Sequence, residues 1–221
     1  MLTADTHNAA RLAGWAYLAI ILAGVSSEAV LRAGILVPQD PAQTAIHIAA
    51  EESRFRLGML FDAVMVLCDV ALAVLLYRFF RPVDAAVALA AMVFRLVQAA
   101  VLAGNLMMLQ LALLLTPSDA GLAHTFLAAH GIGYDIGLLF FGVNMVLTAN
   151  MLCRSELTHR VLSMGLGLSG MVYLAGSVLR IVAPDLSGAF APAYALPLIA
   201  ESLFCLWLLS FGYRRVANPA L

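Results

Sequence analysis

Eight ionisable side chains stand inside stretches of sequence that are otherwise apolar: Glu28, Asp62, Asp69, Arg95, His130, Asp135, Arg180 and Glu201, accompanied by the amides Gln98, Asn105 and Asn144. Their surroundings set their chemistry. The chain of 221 residues is 63% hydrophobic and 11% charged, against about 45–50% apolar residues in soluble domains. An ionisable group at the centre of a bilayer costs about 2.5–3.5 kcal/mol on insertion scales, so it must face a partner or a water-filled cavity. Paired, such groups fix helix register; unpaired, the acids exchange protons; gathered around a divalent ion, they can activate water for hydrolysis.

Each of these chemistries has its candidates. Glu28, Asp62 and His130 are hard or borderline ligands suited to a divalent metal, but no His-Glu-x-x-His or Cys-x-x-Cys spacing marks a dedicated site, and the sequence requires no cofactor. Ion pairs of Arg180 with Glu28 or Asp62, and of Arg95 with Asp69 or Glu201, are equally consistent with the spacing. Five acids against two arginines leave carboxylates over, so Asp69, Asp135 and Glu201 are candidates for proton exchange coupled to transport. Haem is disfavoured, because His7 and His159 fall on one side, His47 and His124 near loops of the other, and only His130 well inside. A serine nucleophile lacks its Gly-x-Ser-x-Gly turn. Cys68, Cys153 and Cys205 read as small apolar residues. A net charge of −1, with 12 arginines and no lysine, offers no basic field for nucleic acid.

These groups must be positioned by helices. Apolar runs separated by polar, proline-containing links predict an all-α bundle of six transmembrane helices in a single membrane domain covering 1–221, with spans over Arg11–Leu31, Leu57–Phe79, Val87–Leu115, Leu122–Leu152, Val161–Val182 and Ala191–Tyr213. In the first long loop, Asp40-Pro41 supplies an N-cap and an N1 proline for a short interfacial helix over Ala42–Ser53, which could also serve as a lid over a binding site. Basic residues favour the cytoplasm: Arg11, Arg78, Arg81, Arg154, Arg160, Arg214 and Arg215 fall on the side of the termini, and Arg32, Arg54 and Arg56 on the other. That asymmetry places both termini inside. A cleaved signal peptide ending near Ser26 and Ser27 is the weaker reading of the first segment.

Helical spacing groups the polar residues. Asp62 and Asp69 lie two turns apart on one face; Arg95, Gln98, Leu102 and Asn105 form a second stripe, and His130, Gly133, Gly137, Phe141, Asn144 and Thr148 a third. Asp135 lies on the other side of its helix. Tyr173 and Arg180 share a line on the fifth span, and Tyr194, Pro197, Glu201 and Cys205 one on the sixth, where Pro197 should free a carbonyl. By depth, Glu28, Asp62, His130 and Arg180 belong to the outer half, Asp69, Asn105, Asp135 and Glu201 near the middle, and Arg95 nearer the cytoplasm. The expectation is a polar cavity open to the outside.

The Ala10-Arg11-Leu12-Ala13-Gly14 opening with Tyr17, Phe55-Arg56-Leu57-Gly58 followed by Asp62 and Asp69, Phe94-Arg95-Leu96, and Glu201 in the last span resemble the membrane proteins grouped as domain of unknown function 4386. The resemblance covers nearly the whole chain. It implies a bacterial integral membrane protein of six or seven helices with a retained first span, and implies no activity, substrate or cofactor. The functional expectation is binding or transport of a small polar or amphiphilic solute, with a small molecule or a lipid as ligand, within the bilayer of the bacterial inner membrane; a metal-dependent enzyme acting on a lipid-like substrate, or a structural or regulatory role, are the alternatives. The two halves show no convincing internal repeat. Small residues Gly165, Gly167 and Gly170 can pack within one bundle or between two copies.

Overall fold

In the computed structural model, which describes residues 4–37 and 39–212, six helices are long and apolar enough to cross a membrane. Helix α1 (Ala4–Val25) runs on into a π-helical segment, Ser26–Leu31. A short α2 (Pro41–Ala50) precedes the long helices α3 (Glu52–Phe80), α4 (Ala85–Leu115), α5 (Ala120–Ser155) and α6 (Arg160–Val182). The chain then passes through a 3₁₀ turn (Pro184–Leu186), the single-turn α7 (Ser187–Phe190) and a second 3₁₀ turn (Ala191–Tyr194) into α8 (Ala195–Gly212), with no strand among the described residues. Tyr213, Arg214 and Arg215 lie outside them.

Aspartates start three of the helices as N-caps. Asp40 Oδ1 accepts from the Gln43 N–H at 2.9 Å, Asp84 Oδ1 from Ala86 and Val87 at 3.1 Å each, and Asp119 Oδ1 from Leu122 at 2.9 Å. A carboxylate there satisfies amides that have no partner inside the helix.

Each span packs on its neighbour in order, α1 on α3, then α4, α5, α6 and α8, and α8 closes back on α1. The result is a ring of six. An even number of spans brings the two ends of the described chain to one end of the ring, here the terminal end; the opposite end is the distal end. Close crossings rest on glycine. A Cβ on Gly142 would stand 2.8 Å from the Gly170 carbonyl oxygen, and one on Gly170 would stand 2.7 Å from that of Gly142. Gly165 lies against Ala200 and Gly167 against Ala149, so these three glycines of α6 all have neighbours within the chain.

The terminal half of the ring is filled by apolar and aromatic side chains. Phe79 meets Phe80, Trp207 and Phe211 edge-on with centroids 4.7, 6.0 and 5.5 Å apart, and Tyr17, Leu72, Phe204 and Leu208 are buried in the same cluster.

Three local expectations change. The short helix over Ala42–Ser53 ends at Ala50, because Glu51 adopts a non-helical backbone and α3 begins at once at Glu52. It is fastened rather than free: Ile48 packs with Ile35, Phe55, Leu109 and Leu113, and Thr44 bonds to Val37 through both N–H and carbonyl. No α2 residue lines the large distal cavity, so the lid reading fails. The last span is preceded by a broken segment at Pro184 and Pro192, and Pro197 falls in the first turn of α8, where a missing N–H costs nothing; no carbonyl is freed inside the helix.

Two predictions follow from this packing. Gly170→Leu overpacks the α5–α6 crossing and should destabilise the protein by about 1–3 kcal/mol, whereas Gly104→Ala, with nothing within 4 Å, should be neutral or stabilising. Thermal melting in detergent decides it, and equal melting temperatures would refute a tight crossing. Asp84, outside the spans, is held below the ordinary aspartate range, first by the Val87 N–H and then by Arg154, whose Nη1 lies 2.8 Å away. A depressed folded-state pKa means its contribution is complete above the ordinary value and is lost as pH falls through the folded one. The melting difference between the parent and Asp84→Asn should therefore stay constant from neutral pH down to about 3.9 and shrink only below it; a difference that fades at higher pH would contradict this.

Candidate functional site

The distal half of the ring encloses a chamber of about 410 Å³. One wall is built by the π-helical end of α1 with α3. The Arg32 N–H donates to the Ser27 carbonyl, five residues back, at 3.0 Å, and the Ser27 hydroxyl ties the segment to the Gly58 carbonyl of α3 at 2.9 Å. Arg54 closes the segment by donating to the Val30 and Ala33 carbonyls at 2.5 and 2.9 Å. This brings Arg32 inward. Its Nε and Nη2 donate to Glu28 Oε2 at 3.1 and 2.8 Å, and its Nη1 makes a short bond to Asp62 Oδ2.

The facing wall comes from α5 and α6. Arg180 Nε stands 3.2 Å from Asp135 Oδ2, and His130, Gly131 and Tyr134 complete the lining. Asn105 of α4 donates through Nδ2 to the His130 carbonyl at 2.8 Å. It reaches across the face of Gly133, where a Cβ would collide with the Asn105 amide. A smaller cavity of about 180 Å³ adjoins the chamber, sharing Asp135 and Arg180 and otherwise lined by Gly176, Ser187, Phe190, Ala191 and Tyr194.

A second polar layer lies deeper. Asp62 and Asp69 are seven residues apart on α3, which is about 10 Å along the axis. Asp69 Oδ1 accepts from Arg95 Nε and Nη2 at 2.9 and 2.5 Å, and its Oδ2 from Gln98 Nε2 at 3.1 Å. Arg95 Nη1 points to Asn144 Oδ1 at 3.5 Å, and Asn144 Nδ2 is itself anchored on the Ala91 carbonyl at 2.7 Å. The guanidinium lies 5.4 Å from the centre of the Tyr17 ring and 5.0 Å from that of Phe141. Beside it, Glu201 accepts from the Tyr17 hydroxyl at 2.6 Å on Oε2 and from the Tyr173 hydroxyl at 2.5 Å on Oε1.

The anticipated residues therefore fall into two groups. Glu28, Asp62, His130, Asp135 and Arg180 line the distal chamber; Asp69, Arg95, Gln98 and Glu201 form the inner layer; Asn105 stands between them. Of the expected pairs, Arg95–Asp69 forms. Arg180 does not pair with Glu28 or Asp62: it meets Asp135, and Arg32 takes the carboxylates of the opposite wall. Arg95 reaches the middle layer rather than remaining at the terminal end, while Asp135 and Asn105 belong to the distal half. For a metal, the geometry offers a guanidinium between Glu28 and Asp62 where a cation would stand, and no group of three His, Cys, Asp or Glu is placed to hold one among the described residues. Arg32 stands in the sequence only as a loop arginine, although its i+4 spacing from Glu28 is that of a helical ion pair. Tyr134 is not singled out there either, and Tyr17 and Tyr173 are placed on helix faces without a hydrogen-bonding role.

Six long apolar helices around a charged interior define a multi-pass helical membrane protein. The chain belongs to the family described as a domain of unknown function (DUF4386), whose model matches residues 12–212, the family it was seen to resemble. No curated protein and no solved structure matches the chain.

Removing one member of the inner pair leaves the other charge buried and unpaired. Asp69→Leu should therefore cost about 3–5 kcal/mol, and adding Arg95→Met should recover most of that loss. Denaturant or thermal unfolding of the two variants is the check. A double variant no more stable than the single one would show that the pair does not act as a unit.

Proposed function

We propose that this protein binds a small polar or amphiphilic solute inside the membrane, in the distal chamber. The observation that carries the reading is the chamber itself. Its volume of about 410 Å³ equals that of ~14 waters at about 30 Å³ each, and charged side chains from four separate spans converge on it. A bundle that needed only register would close on its ion pairs, as the inner layer does. The adjoining cavity with Phe190 and Tyr194 suits an apolar substituent next to a polar head. Passage through the ring is the fuller form of this reading, with Asp69 and Glu201 as charge or proton sites and Arg95 as a counter-ion. It needs the Asp69–Arg95 layer to part, so binding is the step the geometry supports best.

The setting we propose is the bacterial inner membrane with both termini in the cytoplasm. Arg11, Arg78, Arg81, Arg154 and Arg160 are at the terminal end; Arg54 and Arg56 are at the other, where Arg32 is buried in ion pairs. Loops retained in the cytoplasm are the ones that keep arginine.

Filling the chamber tests the function. Gly131 lines it, and a Cβ there meets only Arg180 Nη2 at 3.5 Å. Native mass spectrometry of protein extracted in mild detergent should show a bound small molecule on the parent that is lost in Gly131→Phe, with melting unchanged. Identical spectra for the two proteins would overturn the reading. Orientation is tested by Cys153, exposed near the terminal end of α5. With Cys68 and Cys205 replaced by Ala, a membrane-impermeant maleimide should label it in inverted vesicles and not in intact cells; the reverse pattern would invert the topology.

A further inference from the structure

The chamber's hydrogen-bonding capacity is incomplete in a patterned way. On the α1–α3 wall, Glu28 and Asp62 share the single guanidinium of Arg32, which leaves that wall one negative charge in excess. Both bonds from Arg32 fall on Glu28 Oε2, so Oε1 has no partner among the described residues, and the Glu28 side chain is 72% exposed. On the α5–α6 wall, Arg180 meets Asp135 with Nε 3.2 Å from Oδ2, and the fork of its two terminal nitrogens has no hydrogen-bond acceptor among the described residues, with the side chain 41% exposed. Nη2 is turned toward Gly131, a lining residue of the chamber. One wall thus offers an open anionic acceptor, the other an open cationic fork.

We infer that the chamber takes a small zwitterion, its ammonium against Glu28 and its carboxylate or phosphate on the terminal nitrogens of Arg180. The inference rests on the solute-binding reading and names the class of solute. A simple cation would satisfy Glu28 and leave the guanidinium fork without an acceptor. A simple anion would satisfy the fork but meet the excess negative charge of the facing wall. Only a molecule carrying both charges completes both walls, and charge-assisted hydrogen bonds of this kind are the strong ones. The volume suits a free amino acid or a phosphoethanolamine-type headgroup, whose acyl chains would have to lie outside the chamber. These two sources share the same chemistry.

The test uses the full-length protein in nanodiscs of phosphatidylglycerol, which contain no zwitterionic lipid. Isothermal titration calorimetry compares ω-amino acids from β-alanine to 6-aminohexanoate with alkylammonium ions and alkanoates of matched length; phosphoethanolamine and a short-chain phosphatidylethanolamine form the headgroup arm. At least one zwitterion should bind about tenfold more tightly than its matched cation and its matched anion. Arg180→Gln should reduce it to the affinity of the cation, Glu28→Gln to that of the anion, and Glu52→Gln, in an exposed pair with Arg56 away from the chamber, should change nothing. Binding only in the free amino acid arm identifies a soluble solute, and binding only in the headgroup arm a lipid; either supports the zwitterion. A matched cation or anion binding as tightly as the zwitterion overturns this inference and leaves solute binding standing. Absence of saturable binding by every probe, with parent and variants equally folded by melting temperature, overturns both.

Discussion

A guanidinium that cannot reach water must receive every partner from the fold, and Arg95 is the residue on which the rest of this bundle depends. It is 1% exposed, the largest fully buried side chain. Its charge is met by Asp69 from α3, its Nη1 by Asn144 from α5, and its faces by the rings of Tyr17 and Phe141. Four of the six spans are thus fixed in rotation about a single side chain. Tyr17 extends the constraint, since the ring that covers Arg95 places its hydroxyl on Glu201 of α8, and Glu201 in turn holds Tyr173 of α6. One connected set of polar groups thereby orders all six spans of the ring. In a medium without competing water, any rotation of a span leaves a charge or a hydroxyl unpaired, at a cost no lipid contact offsets.

The two ends of the ring solve the same packing problem differently. Toward the terminal end, aromatic side chains fill the interior around Phe79 and Phe211. Toward the distal end, glycine and charge occupy positions where aromatic residues would close the space. Gly24 and Gly131 leave room, and Ser27, Arg54 and the π-helical turn hold the segment carrying Glu28 and Arg32 against α3. A π-helical turn is rare and, where it interrupts an α-helix, is frequently found at functional sites. Here its consequence is Arg32, turned from the loop into the interior, where it converts two like-charged carboxylates into a wall with one excess charge. The chamber is therefore something the local structure sustains, rather than a defect left by poor packing.

Much of this was legible in the residues, and the rest was hidden for physical reasons. Long apolar runs located six spans to within several residues, because the bilayer fixes their length. Helical periodicity put Asp62 with Asp69 and Arg95 with Gln98, and Asp40-Pro41 marked α2 by its cap. What periodicity cannot supply is the partner across the ring. Arg180 and Arg32 both had carboxylates within conceivable reach, and the choice between them turned on a π-helical turn that has no sequence signature in Ser26–Leu31. Tyr17 and Tyr173 were hidden by their amphipathic character, since an apolar ring belongs in a span whether or not its hydroxyl has a task. Pro184 reads as part of the link before the last span, whereas the apolar run from Ala191 through Pro192 reads as helix and is a 3₁₀ turn before α8.

The charge pairs also differ in how firmly they are held, and the difference has a direction. Asp69–Arg95 is almost wholly buried and supported by two amides. Arg180–Asp135 meets at 3.2 Å between Nε and Oδ2, with Arg180 41% and Asp135 21% exposed. An exposed pair gives up little when it opens, because water or a ligand replaces the lost partner, whereas a buried pair gives up most of its interaction. Arg180–Asp135 is also the pair shared by the chamber and the smaller cavity, and that cavity is roofed by short turns instead of a continuous helix. Of the two pairs, Arg180–Asp135 is the one whose separation costs less and leaves the ring about Arg95 intact. The wall of the chamber and the integrity of the bundle thus rest on different ion pairs, one partly exposed and one buried.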